Sequence, residues 1–262
     1  MLLLISSLLL MSCGADKYMK KGEKFLALGE YYDAADQFKQ AYTRTPAKER
    51  DTRGKRALKM AQCYQRINAT PKAIAAYRNA IRYNQASKED QLAYARQLLK
   101  NGDYRQAEKV FLMLKDSMPG NQLVANGLKS AQMAPEWKKQ GSRYIVKRMD
   151  VFNSRRHDYS PVLFGDDYDQ LYFTSTRNEA LGDELSGITG TKAGDIFLSE
   201  KDDRGKWSKP EAIGTGLNTD YDEGACCFTP DGREMYLTQC VTDPSSPRYA
   251  RSEERRVGKE CR

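Results

Sequence analysis

Small and aromatic residues recur at helical spacing through the first half of the chain. The first copy of this pattern spans Tyr18 to Pro46 and predicts two helices joined by a turn at Gly29-Glu30. Small residues let two helices cross closely, and aromatic side chains fill the neighbouring holes. The packing positions of this copy are Gly22, Phe25, Ala34, Phe38 and Ala41.

Two further copies follow in register. The second copy has its packing and turn positions at Ala61, Tyr64, Asn68, Ala73, Tyr77 and Ala80. The third has them at Ala95, Leu98, Gly102, Tyr104, Ala107, Phe111 and Pro119. Ala73 and Ala107 are 34 residues apart, whereas Ala34 and Ala73 are 39 apart, so we expect a five-residue insertion near Lys48 to Asp51.

The 34-residue period and these motifs resemble tetratricopeptide repeats. The resemblance implies an all-α solenoid of stacked helix pairs over residues 18-135. Asn121 to Met133 is typical of a capping helix, and we expect Ala134-Pro135 to close it. An ordinary helical bundle is the alternative interpretation.

The first residues differ from the rest in composition. Met1 to Met11 is a run of apolar and serine residues, too short to span a bilayer as a mature helix. The ending Leu10-Met11-Ser12-Cys13 resembles a bacterial lipobox, although no basic residue precedes the run. The resemblance implies a signal peptide at 1-12, lipidation of Cys13 and a short tether at 13-17. A buried apolar strand is the alternative.

A second internal repeat begins after the helices, at about residue 140. The segment Asp158 to Thr174 aligns without gaps on Asp222 to Thr238, at an offset of 64 residues, and Phe164 aligns with Phe228. Thr229-Pro230-Asp231-Gly232 predicts a hairpin turn in the second copy. Between the copies, we predict a third strand at 194–198 and a fourth that starts near Trp207 and Ile213.

The motifs F-T-P-D-G, L-Y-F-T-S, G-D-I-F, W-S-K-P and L-N-T-D-Y-D-E-G resemble PD40 (WD40-like) propeller repeats. The resemblance implies an incomplete all-β propeller over 140-250, because one blade and a hairpin cannot close a ring. Residues 251-262 resemble a translated adaptor tail that is not native to the protein. We therefore expect the chain as given to be a fragment, or its propeller half to be unstable alone.

Charge divides unevenly between the two halves. Residues 16–139 carry 25 Lys and Arg against 13 Asp and Glu, whereas residues 140–250 carry 13 against 19. A basic helical array favours an acidic or anionic partner, and for a lipoprotein a membrane or a protein is preferred over nucleic acid. A face that is merely solvated is the alternative.

The chain has few residues that suit catalysis. His157 is the only histidine, and no Walker loop, nucleophile elbow or C-x-x-C pair occurs. Asp166, Asp167 and Asp169 suit a turn better than a cation loop. Cys226, Cys227 and Cys240 occupy strand positions, and a disulfide that includes Cys240 stays open. We predict no enzyme activity, no cofactor and no metal.

A lipidated cysteine, tetratricopeptide repeats and a PD40 propeller, in this order, resemble the Bacteroidetes outer-membrane lipoproteins of the OmpA family, including those associated with type IX secretion. The resemblance implies a periplasm-facing scaffold for protein partners in secretion or peptidoglycan linkage. The peptidoglycan-binding domain would lie beyond this sequence. A carbohydrate-binding or hydrolase propeller is the alternative, which the apolar inner-strand residues Val162, Phe164, Ala225 and Cys227 disfavour.

The first helix of each repeat supplies the candidate partner-binding residues, because we expect these helices to line a groove. The candidates are Lys21, Lys24, Leu28, Lys59, Gln62, Gln97 and Lys100.

Overall fold

The computed structural model describes residues 2–214 and 216–240, with side chains from residue 14 onward. The chain divides into two compact units, Met1–Tyr144 and Ile145–Arg262. The first is helical, and the described part of the second is built from strands and loops.

Antiparallel helix pairs make up the helical unit. Each helix packs against the next one along the chain, as three pairs and a final helix. The helices are α1 (Leu2–Leu28), α2 (Tyr31–Arg44), α3 (Arg50–Arg66), α4 (Thr70–Arg82), α5 (Lys88–Asn101), α6 (Tyr104–Ser117) and α7 (Gln122–Gln140).

Small residues set the close approach of these helices. Phe38 and Phe111 are both fully buried, and a Cβ on Gly22 would lie 2.6 Å from the Phe38 ring. A Cβ on Gly127 would lie 2.3 Å from the Phe111 ring. Alanines at the remaining predicted contact points are also fully buried: Ala34, Ala41, Ala61, Ala73, Ala80, Ala95 and Ala107.

The turns within the three pairs share one geometry. Gly29, Asn68 and Gly102 have φ of 81°, 57° and 84°, the left-handed conformation that ends a helix. In each turn the next amide donates a 2.9 Å hydrogen bond to a carbonyl five residues earlier: Glu30 to Phe25, Ala69 to Tyr64, and Asp103 to Leu98. The predicted repeat of helix pairs is therefore confirmed by packing and turn geometry.

Helix ends differ from the prediction at two places. The predicted tether at 13-17 lies within α1, because Ala15 is buried and Asp16 pairs with Arg56 of α3. Helix α7 continues through Pro135 to Gln140, where Gly141 adopts φ of 69°. Pro135 removes one helical donor, and this single loss does not end the helix. Among the described residues, no helix is long and apolar enough to cross a membrane.

Two antiparallel sheets form the strand unit. Strands β1 (Asp158–Phe164), β2 (Gln170–Ser175), β3 (Asp195–Glu200) and β4 (Glu211–Ala212) pair in that order. Strands β5 (Asp222–Phe228) and β6 (Met235–Cys240) form a second sheet. The predicted third and fourth strands thus correspond to β3 and β4.

The two hairpins are structurally similar. The first strand of each, β1 or β5, carries a register shift near its middle. The β5–β6 turn follows the predicted geometry, since Gly232 has φ of 69° and its amide donates to the Thr229 carbonyl. The rings of Phe164 and Phe228 stack with centroids 4.1 Å apart, which joins the two hairpins. The sheets formed by the described strands are open, and the incomplete propeller stays a prediction.

Candidate functional site

The repeat register places three columns of side chains along the first helices α1, α3 and α5. The offsets are 39 residues from the first repeat to the second and 34 from the second to the third. We call these columns the first-helix face. They are Lys20, Lys59 and Ala93; Glu23, Gln62 and Arg96; and Ala27, Arg66 and Lys100.

Solvent reaches this face in all three repeats. Lys59 and Ala93 are half-buried, and the other seven side chains are exposed. The face carries five basic residues and one acidic residue, Glu23. Since packing does not consume these side chains, they are available to contact a partner.

Hydrogen bonds join neighbouring repeats across the first-helix face. The Gln62 side-chain amide donates to Asp90 Oδ1 at 3.1 Å, and Lys100 Nζ donates to Asn68 Oδ1 at 2.7 Å. Asp90 is itself fixed, because it forms a reciprocal capping box with Ser87 at the start of α5. These contacts limit the motion of Gln62 and Lys100 and so preorganise part of the face.

Three of the predicted binding residues lie on a different face of the first helices. Lys21 aligns with Met60 and Tyr94, and Lys24 aligns with Cys63 and Gln97. These four later positions are buried in the repeat stack, whereas Lys21 and Lys24 are exposed.

Gln97 is therefore not a groove residue as predicted. It is 8% exposed, and its Oε1 has no hydrogen-bond partner among the described atoms. Lys21 and Lys24 belong to the same packing face and stay exposed on α1. The predicted residues on the first-helix face are Lys59, Gln62 and Lys100, while Leu28 is exposed at the end of α1.

Sequence reasoning missed three basic residues of this face, Lys20, Arg66 and Arg96. The signal was present, because Arg96 aligns with Gln62 and Arg66 aligns with Lys100 once the repeat offsets are applied. Within a single helix, residue type does not separate the exposed columns from the packing columns. The predicted set therefore contained residues of both.

Buried polar groups in the strand unit serve the fold. Asp158 accepts hydrogen bonds from Arg177 at 2.8 Å, from the Ser175 hydroxyl at 2.7 Å and from the Ser154 amide at 2.6 Å. Burial raises the Asp158 pKa, but these hydrogen bonds outweigh it and hold the pKa below its usual value. His157 is exposed, and its backbone amide donates to Thr176 Oγ1. This arrangement orders a strand end.

An open cleft of about 590 Å³ lies beside Trp207 in the strand unit. Its two carboxylates already have partners: Glu200 accepts from Gln170, and Asp202 accepts from the backbone amides of Arg204 and Lys206. Both carboxylates are thus held by hydrogen bonds.

Cysteine and acidic side chains form no metal site within the described residues, where no group of three or more potential ligands occurs. Cys226 and Cys227 are free thiols, and Cys240 lies opposite Asp222 in the β5–β6 hairpin. Cys240 is thus displaced along the hairpin from Cys226 and Cys227, and no disulfide links these described cysteines. The side chain of Cys13 and all of Cys261 lie outside the described atoms.

No protein-family model and no curated protein sequence matches the chain. Solved structures similar to it include the C-terminal tetratricopeptide-containing domain of a Plasmodium falciparum FK506-binding protein, at 15% identity and TM-score 0.42, over 50% of this chain and 94% of that one.

Two others are also tetratricopeptide domains. The first such domain of Spaghetti (RPAP3), bound to an HSP90 peptide, has 17% identity and TM-score 0.39, over 48% of this chain and 96% of that one. The Sgt2 domain of Aspergillus fumigatus has 19% identity and TM-score 0.38, over 52% of this chain and 88% of that one. The helix pairs and their common turn geometry define the fold of the first unit, an array of tetratricopeptide-like helix pairs.

Proposed function

We propose that the chain is a non-enzymatic scaffold lipoprotein of the bacterial cell envelope, anchored to the outer membrane through a lipid on Cys13 and facing the periplasm. Its helical repeats bind protein partners that act in protein secretion or peptidoglycan linkage. The strand unit would be part of a PD40-type propeller.

One observation carries the binding role: the exposed and mainly basic first-helix face. In the second and third repeats, packing buries the neighbouring positions Met60, Cys63, Tyr94 and Gln97 and leaves most of the first-helix face in solvent. Exposed positions that recur through every repeat, with five basic residues among nine, suit a protein segment that lies along the array.

The partner chemistry follows from the side chains on this face. Lys59, Arg66, Arg96 and Lys100 favour carboxylates, and the Gln62 amide adds hydrogen bonding. An extended acidic segment of a protein would pair with these groups along the array.

The membrane anchor is supported by the sequence Leu10-Met11-Ser12-Cys13, and Cys13 lies on α1. Asp16, three residues after Cys13, is paired with Arg56 of the second repeat at 2.5 Å. An acyl group on Cys13 would therefore hold the repeats directly at the membrane surface, without a flexible tether.

Site-specific photo-crosslinking tests the binding role. A photoreactive residue at Gln62 or Arg96 in the full chain, expressed in a bacterial envelope, should form a discrete protein adduct. A photoreactive residue at Lys39, exposed on α2 and outside the first-helix face, is the matched control. Equal adducts from all three positions, or none from positions 62 and 96, would reject the first-helix face as the binding site.

A further inference from the structure

Arginine and tyrosine side chains pair at one end of the helical unit. The Arg44 guanidinium lies 4.4 Å from the centroid of the Tyr18 ring, and that of Arg53 lies 4.3 Å from the Tyr42 ring. Both distances are in the range of cation–π interactions.

Tyr83 extends the pairing to the next helices. Arg82 and Arg50 lie 5.0 Å and 5.7 Å from its ring centroid. Desolvation raises the Tyr83 pKa, but contacts with Arg53 and Arg82 outweigh it, so the net pKa is lowered. Positive charge is therefore concentrated around this ring.

Direct contacts make these residues one continuous surface. Arg53 donates to the Thr45 carbonyl at 2.6 Å, and the Gln85 amide donates to Asp51 at 3.4 Å, so the end of α2, the start of α3 and the end of α4 lie together. We call this the Arg–Tyr surface. It consists of Tyr18, Tyr42, Arg44, Arg50, Arg53, Arg82 and Tyr83.

Repeat packing does not require this surface. Arg82 and Tyr83 align with Asp116 and Ser117 in the third repeat, which are exposed and still belong to the same fold. A structural role in the repeat would place similar residues there. Packing therefore does not require Arg82 and Tyr83, which are free to serve a ligand.

The ends of α1 to α5 that form this region carry a positive excess. Apart from the Arg56–Asp16 pair, these helix ends contain seven basic residues and four acidic ones, Glu49, Asp51, Glu89 and Asp90. Asp51 accepts a hydrogen bond from Gln85, and Asp90 is held in the α5 capping box. The basic residues are Lys17, Arg44, Lys48, Arg50, Arg53, Arg82 and Lys88.

The Arg–Tyr surface lies beside the start of the mature chain proposed above. Arg56 joins Asp16 at 2.5 Å and also donates to the Ala41 carbonyl, close to Tyr42 and Arg44. Cys13 precedes Asp16 by three residues of the same helix, a rise of about 4.5 Å.

We propose that the Arg–Tyr surface rests on an anionic phospholipid bilayer, so that the helical unit stands with this end on the membrane that holds Cys13. This inference rests on the proposed membrane anchor. Arginine binds phosphate through two parallel donors, and tyrosine places its ring and hydroxyl at the boundary between apolar and aqueous regions. Both residue types therefore suit a phospholipid headgroup layer better than an acidic peptide, which would not require the tyrosines.

Vesicle cosedimentation tests the surface without the lipid anchor. The full chain with Cys13→Ala is mixed with vesicles of phosphatidylcholine alone or with added phosphatidylglycerol. We expect salt-sensitive binding that depends on phosphatidylglycerol. Equal binding to both kinds of vesicle would mean that the apolar residues 1–12 alone cause the binding, and it would overturn the proposal. Since this protein cannot be acylated, the result does not depend on whether Cys13 is lipidated in cells.

Matched variants locate the contact. Each basic residue near an anionic surface strengthens binding by about fivefold, so Arg44→Gln, Arg50→Gln and Arg82→Gln together should weaken it about 100-fold. The same changes to Lys keep the charge but lose the paired donors, so they should weaken binding much less than the changes to Gln. Circular dichroism checks that all variants fold. Arg105→Gln, Lys109→Gln and Lys129→Gln, exposed on α6 and α7, remove equal charge elsewhere and should have a small effect. Equal losses in both Gln triples, or binding of an acidic peptide in place of vesicles, would refute the proposal.

Discussion

Arg56 of α3 reaches back to Asp16 of α1, with 2.5 Å between Nη2 and Oδ1, and so joins the first two repeats. The Arg56 side chain is 8% exposed, and it also contacts the Thr45 hydroxyl and the Ala41 carbonyl. A buried guanidinium with these partners makes the start of the repeat array a fixed structure.

Replacing Arg56 should destabilise the helical unit more than replacing Asp16. Arg56→Ala removes the donor to the buried Thr45 hydroxyl oxygen and the weaker of two donors to the Ala41 carbonyl, which keeps the Thr45 hydroxyl, at a cost of about 1 to 3 kcal/mol. Asp16 is 58% exposed, so Asp16→Asn should cost less than about 1 kcal/mol. Urea unfolding of the full chain, followed by helical circular dichroism, measures both. Similar losses for the two variants would mean that Arg56 acts through the ion pair alone.

Gly22→Ala should also destabilise the helical unit, because the new methyl group would lie 2.6 Å from the Phe38 ring. Overpacking of this kind costs about 1 to 3 kcal/mol. Gly14→Ala is the matched control, since nothing lies within 4 Å of its Cβ and alanine favours a helix by about 1 kcal/mol. Thermal melts should shift in opposite directions, and a Gly22→Ala protein as stable as the parent would contradict the close crossing of α1 and α2.

The helical unit should fold without the strand unit. A fragment of residues 14–144 contains all seven helices from Gly14 onward and the main buried cluster, including α7 to its end at Gln140. We expect a cooperative helical melt. Ending the fragment at residue 120 removes α7, exposes Phe111 and should lower the midpoint. A fragment 14–144 that melts without cooperativity would contradict an independent repeat domain.

Asp195 should make the strand unit less stable as the pH rises from about 4 to 6. Burial raises its pKa to about 6, Glu223 and Asp222 add to this, and the Leu181 amide and Lys192 oppose it. The folded state therefore holds a proton that the unfolded state releases near pH 4, so the free energy of unfolding falls through this window and is flat above it.

Asp195→Asn should remove this pH dependence and stabilise the protein at pH 7 by about 1 to 3 kcal/mol. The amide oxygen can still accept from the Leu181 amide, as Asp195 Oδ2 does at 2.7 Å. Asp203→Asn, in an exposed turn, is the control. Denaturant midpoints read from Trp207 fluorescence in a Trp137→Phe background give the comparison. An unchanged pH profile in Asp195→Asn would show that another group titrates.

The sequence predicted what local chemistry determines. Turn residues such as Gly29 and Asn68, the packing alanines, the hairpin turn at Asp231-Gly232 and the alignment of Phe164 with Phe228 each express a short-range constraint. The predicted end of α7 at Pro135 was wrong. A proline removes only one hydrogen-bond donor, and three turns of packed helix compensate for that loss. The packing of Ala15 and the Asp16–Arg56 pair were missed, since they depend on a contact 40 residues away.

The candidate site was predicted only in part for a related reason. Exposure of Lys21 and Lys24 depends on their place in the first repeat, while their equivalents Cys63 and Gln97 are buried. Residue type alone does not distinguish a packing column from a solvent column. The repeat offsets distinguish the two kinds of column, and they identify Arg66 and Arg96 as residues of the first-helix face.

The state of Cys13 tests the central claim of a membrane-anchored scaffold most directly. The full chain is expressed in a bacterium that processes lipoproteins, labelled with a fatty-acid analogue, and its N-terminal peptide is measured by mass spectrometry. We expect an N-terminal peptide that begins at Cys13 and carries acyl chains, and an unlabelled, unprocessed product from Cys13→Ala. An unmodified N-terminus at Met1, or equal labelling of Cys13→Ala, would contradict the proposed anchor.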